Sequence, residues 1–452
     1  MRLKQDDAAA AANYEEMRAE GVKRQSKSME LSALIAQSNL HSHPTGVYNP
    51  LKARESGRAA LALAQELGDR AAQAHALWAL QNAELYSAGD TGQIVTYGQE
   101  ALALARELGL KELIAHSLIN LCWPFGAQKK LKQARVELVE AQSIWRELGN
   151  LQKLAEAYRF LLLINHQAGD HRNMLIDTKK LSELGASIDS RLDEIEALAW
   201  QGFTHIRQGR FSQALNYIDQ YGIYAETLGH SNERHGHQWG RMKFYLAVGA
   251  LEEAERWADE LSTERETILP NFIANYFVEV VRVKIALGKM DESRAILDEL
   301  LPNLPDDAPF SYNIIDIALG YGEINLAEGQ PEALFAGLDE RVRPYREAGF
   351  GYLLADEHWL RGRAALALGK YDTARESLLK AKEAAEAQEE RAILWKILVT
   401  MSDVENASSN VATADNFRHQ ARIVIEDIAE HAGKMRDVFL NQPEVIQLLA
   451  EI

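Results

Sequence analysis

Apolar residues recur along most of the chain at three- and four-residue steps, the spacing that lays one stripe along an α-helix. The stripe repeats as well as the step. "ALALAQELG" at 60 to 68 returns as "ALALARELG" at 101 to 109, 41 positions later. No segment between turn signals alternates every second residue, as a half-buried strand would. The pattern predicts an all-α protein built from recurring helix pairs.

The punctuation supports that reading, because glycine just past a helix adopts the left-handed conformation at little cost. Glycines that predict elbows stand at 89, 169, 209, 249, 288, 329 and 369, with intervals of 40, 40, 39, 41 and 40 after Gly169. Lys129 occupies the missing midpoint between 89 and 169. Gly68, Gly109 and Gly149, each after "ELG", predict the ends of second helices, and Gly185 and Gly229 are read the same way.

Small residues keep the same register. Ala134, Ala214, Ala254, Ala374 and Ala414 lie five positions past an elbow; Ala101, Ala141, Ala381 and Ala421 lie seven further on. Gly202, Gly322, Gly362 and Cys122 precede an elbow by seven, where small side chains let antiparallel helices cross closely. Pro124, placed inside a helix by this register, predicts a kink or an early end in "CWPFGAQ". "LPNLPDDAP" (301 to 309) reads as a longer connection and a bend.

"GRAALALGKYDTARESLLKA" (362 to 381) resembles the tetratricopeptide repeat, with its small residue, Gly-x-aromatic-x-x-Ala elbow and following Ala. The period departs from that family's 34, being about 40. The long repeats and the tail "ARIVIEDIAEHAGKMRDVFLNQPEV" are similar to the C-terminal repeat regions of bacterial signal-transduction ATPases and adenylate-cyclase-linked regulators. The repeat region of the maltotriose-responsive activator is a more distant relative. The resemblance implies a right-handed α-solenoid, or superhelix, of about ten hairpins, acting as a protein-binding or sensory arm. Residues 1–25 are expected to form a frayed or partial helix, 26–432 the array, and 433–452 a capping helix.

Charge narrows the partners. A net charge of −17 disfavours nucleic acid, which needs clustered Lys and Arg. Residues 250 to 345 hold 20 acidic against 8 basic side chains, read as solvated outer helix faces. No apolar run reaches the roughly 18 residues of a membrane span, and the N-terminus has no signal-peptide core, so a cytoplasmic location is expected.

Catalytic chemistry finds little footing. The lone Cys122 falls where the repeat packs a small residue, so a buried, inert thiol is expected. His41 and His43, like His235 and His237, are H-x-H pairs whose rings diverge by about 200° on a helix, which disfavours a metal site. "GKMDES" and "GKYDTA" lack the upstream glycine of a phosphate-binding loop. No enzyme, metal or cofactor is expected.

The fifth and ninth positions of each first helix, an i,i+4 pair, face the concave side of such an array. Among the residues projected there, Trp123, Arg159, Phe203, Trp239, Lys243, Arg282, Trp359 and Arg363 form a cationic and aromatic stripe. Aromatic and Arg anchors carry much of the energy in protein recognition. These eight are the candidate ligand-binding residues, suited to an acidic or carboxylate-bearing peptide or protein. A region that senses a small-molecule effector within a transcriptional regulator or signalling ATPase is the alternative.

Overall fold

The structure, a computed structural model, describes residues 7–43, 46–87, 90–128, 130–228, 231–304 and 313–450. Gly89, Lys129, Gly229, Pro305 and Pro309 lie outside the described residues. Among those described there are helices and no strand, and the helices pair into about ten hairpins. The chain forms two compact units, residues 1–160 and 161–452.

The first unit contains α1 (Asp7–Lys23), α2 (Lys27–Ser42), α3 (Pro50–Leu67) and α4 (Arg70–Leu85). It continues through α5 (Thr91–Leu108), α6 (Lys111–Ala127) and α7 (Leu131–Glu147), and the boundary falls within α8 (Leu151–Gln167). The second unit begins with α9 (His171–Ser187), α10 (Arg191–Arg207), α11 (Phe211–Leu228) and α12 (Ser231–Val248). Next come α13 (Leu251–Thr263), α14 (Pro270–Ala286), α15 (Met290–Leu300), α16 (Asn313–Ala327), α17 (Pro331–Arg341) and the short α18 (Arg343–Glu347). α19 (Leu354–Ala367), α20 (Tyr371–Ala387), α21 (Arg391–Ala407), α22 (Val411–His431), α23 (Arg436–Leu440) and α24 (Pro443–Ala450) complete it.

Two-residue connections set the hairpin geometry. Gly68 takes φ 64° after α3, and the Asp69 carboxylate then accepts the backbone N–H of Ala72 at 2.9 Å, so one dipeptide ends a helix and starts the next. All the described elbow glycines, from Gly169 to Gly369, have positive φ, as do Gly109 and Gly149. Gly185 departs from the expectation. It lies inside α9, against the backbone of Glu194, and Asp189 takes the positive φ instead. α6 also runs through Pro124 to Ala127. Pro124 has no N–H for the Asn120 carbonyl, and the helix ends through the Gln128 N–H to the Pro124 carbonyl at 2.8 Å and the Lys130 N–H to the Phe125 carbonyl at 2.7 Å.

The alanines in register are fully buried where helices cross. A side chain at Gly362 would strike Leu378 at 2.6 Å, which explains the small residue there. Cys122 fills the matching place in α6, where it is buried and burial pushes its thiol well up. In the first unit Asn39, Asn82 and Asn120 link α2, α4 and α6 through amide hydrogen bonds of 3.2 and 2.6 Å. His116 sits between Trp78 and Trp145, and burial lowers its pKa to about 4.

Glu137 on α7 gives a direct test of packing in this unit. Burial raises its carboxyl to about 7, and Oε2 has no hydrogen-bond partner among the described residues. An acid with a raised folded pKa costs stability as pH climbs from its unfolded value through the folded one. Glu137→Gln should therefore stabilise the protein by about 1 kcal/mol at pH 8, after allowance for solvent screening, and by almost nothing at pH 4. Urea midpoints at the two pH values check this; equal gains at both would refute it.

The second unit closes on itself. Gly169, Gly209 and Gly249, one elbow per repeat, meet Gly351, Ile428 and Gln442 respectively. The amides of Gly351 and Tyr352 both donate to the Gln167 carbonyl at 3.1 Å. Gln442 Nε2 donates to the Val248 carbonyl at 3.1 Å, and Phe439 packs edge-on against Phe211 at 5.6 Å. Residues 433–450 thus contribute α23 and α24, which fold back onto this seam.

Candidate functional site

Charged and aromatic side chains on the first helices of the second unit meet from one repeat to the next. On α10 and α12, Phe203 meets Trp239 at 4.7 Å, and Trp239 meets Tyr276 of α14 at 5.6 Å. Lys243 lies over the Trp239 ring at 4.9 Å while donating to Glu279 at 2.6 Å. Arg282 reaches Asp316 of α16 at 2.6 Å, and Tyr352 donates to the same carboxylate oxygen at 3.3 Å. On α19, Arg363 lies over Trp359 at 4.7 Å and binds Glu323 at 2.6 and 2.8 Å. Trp359 Nε1 donates to Thr400 Oγ1 of α21 at 2.9 Å.

A clasp joins the ends of this face. Arg207, the last residue of α10, donates to both oxygens of Asp356 at 3.1 and 2.6 Å. It also donates to Glu390 at 2.8 and 3.0 Å, and His171 Nε2 meets the same carboxylate at 2.8 Å. Burial and the two carboxylates pull Arg207 in opposite directions, and the carboxylates prevail, holding its pKa well up. Asp356 and Glu390 are correspondingly held down by Arg207 against the effect of burial.

Electrostatics differ along the face. Lys243 and Arg282 outweigh burial at Glu279 and lower its pKa, whereas burial outweighs Arg282 at Asp316 and raises it. Asp316 Oδ2 and Trp239 Nε1 are buried with no hydrogen-bond partner among the described residues. The face retains unfilled polar capacity.

The second unit holds six of the eight residues projected from the repeat: Phe203, Trp239, Lys243, Arg282, Trp359 and Arg363. All six are half-buried. Trp123 and Arg159 belong to the first unit, where Trp123 packs edge-on against Phe160 at 6.3 Å. The cations are already paired with carboxylates, which the projection did not reveal. It also missed Arg207, Asp316, Asp356 and Lys396. These lie one helical turn outside the projected positions, Arg207 four past Phe203 and the others three before Leu319, Trp359 and Val399, which the register places at fifth positions, so a longer i−3/i+4 extension finds them.

The histidine pairs play structural parts. His41 Nδ1 contacts the Val47 carbonyl and His43 Nδ1 the Asn39 carbonyl, both at 2.8 Å, while His237 packs between Tyr221 and Trp257. No group of three potential ligands could hold a metal among the described residues. His235 Nε2 meets both Glu264 and Thr267 at 3.1 Å. A relay to a nucleophile needs acid and hydroxyl on opposite ring nitrogens, so this trio is a hydrogen-bonded anchor.

No protein-family model matches the chain, and no curated protein does. Solved structures supply the likeness. A Rap protein complexed with competence and sporulation factor has 15% identity and a TM-score of 0.50, covering 81% of this chain and 99% of that one. The Cut9–Hcn1 hetero-tetramer of APC/C has 12% identity and a TM-score of 0.37, covering 98% and 86%; yeast Tom70 has 11% and 0.34, covering 99% and 100%. The similarity to the Rap protein supports a tetratricopeptide-type helical-repeat fold. No helix among the described residues is long and apolar enough to cross a membrane.

Proposed function

We propose that the chain is a non-catalytic recognition scaffold of a bacterial signalling or regulatory system, and that the inner face of its second unit binds a short peptide or an extended segment of a protein. The observation that carries this reading is the row of half-buried aromatic and charged side chains with unfilled hydrogen-bonding capacity. Aromatic anchors beside desolvated charges are where binding energy concentrates. Closure of the unit favours a slender ligand over a folded domain, which also keeps a small-molecule effector as the second reading. Trp123 and Arg159 would form a separate contact surface on the first unit.

The Rap protein was solved with a factor bound, and its fold is shared by this chain, which lends support to a recognition role. Selection of random heptapeptides on the full chain tests the proposal. Enriched peptides should bind the variant Trp239→Ala/Arg363→Glu at least about tenfold more weakly, or 1.4 kcal/mol, with helicity unchanged. Equal affinity for the variant would remove the inner face from recognition.

A further inference from the structure

Lys396 on α21 stands apart from the other inner cations. Arg207, Lys243, Arg282 and Arg363 each hold a carboxylate within hydrogen-bonding distance. Lys396 has none within 4 Å among the described residues; its ammonium lies 5.5 Å from the centre of the Trp395 ring. The Lys396 carbonyl accepts from Thr400 Oγ1 at 3.0 Å, and that hydroxyl receives the Trp359 N–H at 2.9 Å. Trp359 in turn lies beneath Arg363. One corner therefore assembles two cations, two indoles and a hydroxyl, with Glu323 engaged by Arg363.

We propose that this corner of Trp359, Arg363, Lys396 and Thr400 is a carboxylate subsite, taking the α-carboxylate of a bound peptide or the acid group of a small effector. The inference rests on the inner-face reading above and adds the chemistry of one end of the ligand. Arg363 is already engaged by Glu323, whereas the Lys396 ammonium has no ion-pair partner among the described residues, and one arriving carboxylate supplies it. Burial lowers the Lys396 pKa even though Glu444, Glu323 and Asp356 are near enough to raise it, so an arriving anion restores a stabilising partner. Trp359 supplies an apolar wall for the atoms next to the acid, with Arg363 already stacked over its ring.

Hippurate, an aromatic acyl-glycine acid, and its neutral analogue hippuramide are suitable probes, titrated against the full chain by indole fluorescence and calorimetry. Hippurate should bind saturably, and hippuramide at least about tenfold more weakly. Lys396→Met should lose at least about tenfold for hippurate, whereas Lys396→Arg should restore it, with circular dichroism unchanged in both. Free and C-terminally amidated forms of a selected heptapeptide then separate a peptide terminus from a small acid as the source. Absent hippurate binding, equal binding of acid and amide, tighter binding of inorganic phosphate, or an unaffected Lys396→Met variant would each overturn the subsite. Undiminished heptapeptide enrichment on Lys396→Met would leave the inner-face reading standing while this corner falls; loss of enrichment on every form of the chain would remove both.

Discussion

Replacing Arg207 by methionine should destabilise the second unit by about 3 kcal/mol, because one guanidinium pairs with two carboxylates there. Removing it leaves Asp356 and Glu390 beside each other without their cation, and only His171 remains on Glu390. The magnitude sits at the lower end for a buried ion pair, since the Arg207 side chain keeps 23% of its surface accessible. Urea unfolding followed through the second unit's five tryptophans at 200, 239, 257, 359 and 395 measures the loss. A change under about 0.5 kcal/mol would show that the clasp is a solvated surface pair.

The same clasp fixes a pH dependence. Asp356 and Glu390 titrate below their unfolded values in the folded chain. Their contribution is therefore complete above about pH 4 to 5 and is lost as pH falls through the lowered folded values. In Arg207→Met this acid dependence should shrink or reverse.

Phe439→Ala should cost about 3 to 4 kcal/mol, the loss expected when a fully buried ring leaves a cavity that its neighbours cannot fill. Phe439 is 1% exposed and packs on Phe211, which packs on Phe244 at 6.2 Å. This contact and the Arg207 clasp belong to one seam between α9–α12 and α19–α24. Combining the two substitutions should cost less than the sum of their separate effects, because a seam opened by one has less left for the other to lose. Strict additivity in urea titrations would mean that the two contacts act independently.

Local chemistry was legible in the sequence. An elbow needs a left-handed residue and a close crossing needs a small one, so glycine and alanine at fixed spacing disclose helix pairs and register. Gly185 misled because a glycine can serve either need, and there it accommodates the Glu194 backbone within a continuing helix. At Pro124 the helix forgoes one backbone bond and runs on to Ala127, its end falling within "CWPFGAQ". Seam contacts such as Arg207 with Glu390 join residues 183 apart and carry no periodic mark. Nor does any break in the repeat mark the boundary between residues 160 and 161.

The inner stripe was half legible. Trp239, Lys243, Trp359 and Arg363 emerged from helical spacing alone, which fixes direction from the axis. Pairing depends on the neighbouring repeat, about 40 residues away, so Glu279 and Asp316 appeared as acidic composition until α14 and α16 placed them opposite their cations, whereas Glu323 already stood at a projected ninth position. What seemed an unopposed basic stripe is a nearly balanced one, with Lys396 as its unpaired member.

Hydrogen-exchange mass spectrometry of the full chain with and without a selected heptapeptide tests most directly whether the inner face is the recognition surface. Protection should rise on α12, α14, α16, α19 and α21, whose side chains line that face, and remain unchanged on α13, α15, α17 and α20 behind them. Protection confined to those outer helices or to the first unit, with the inner helices unaffected, would contradict the account.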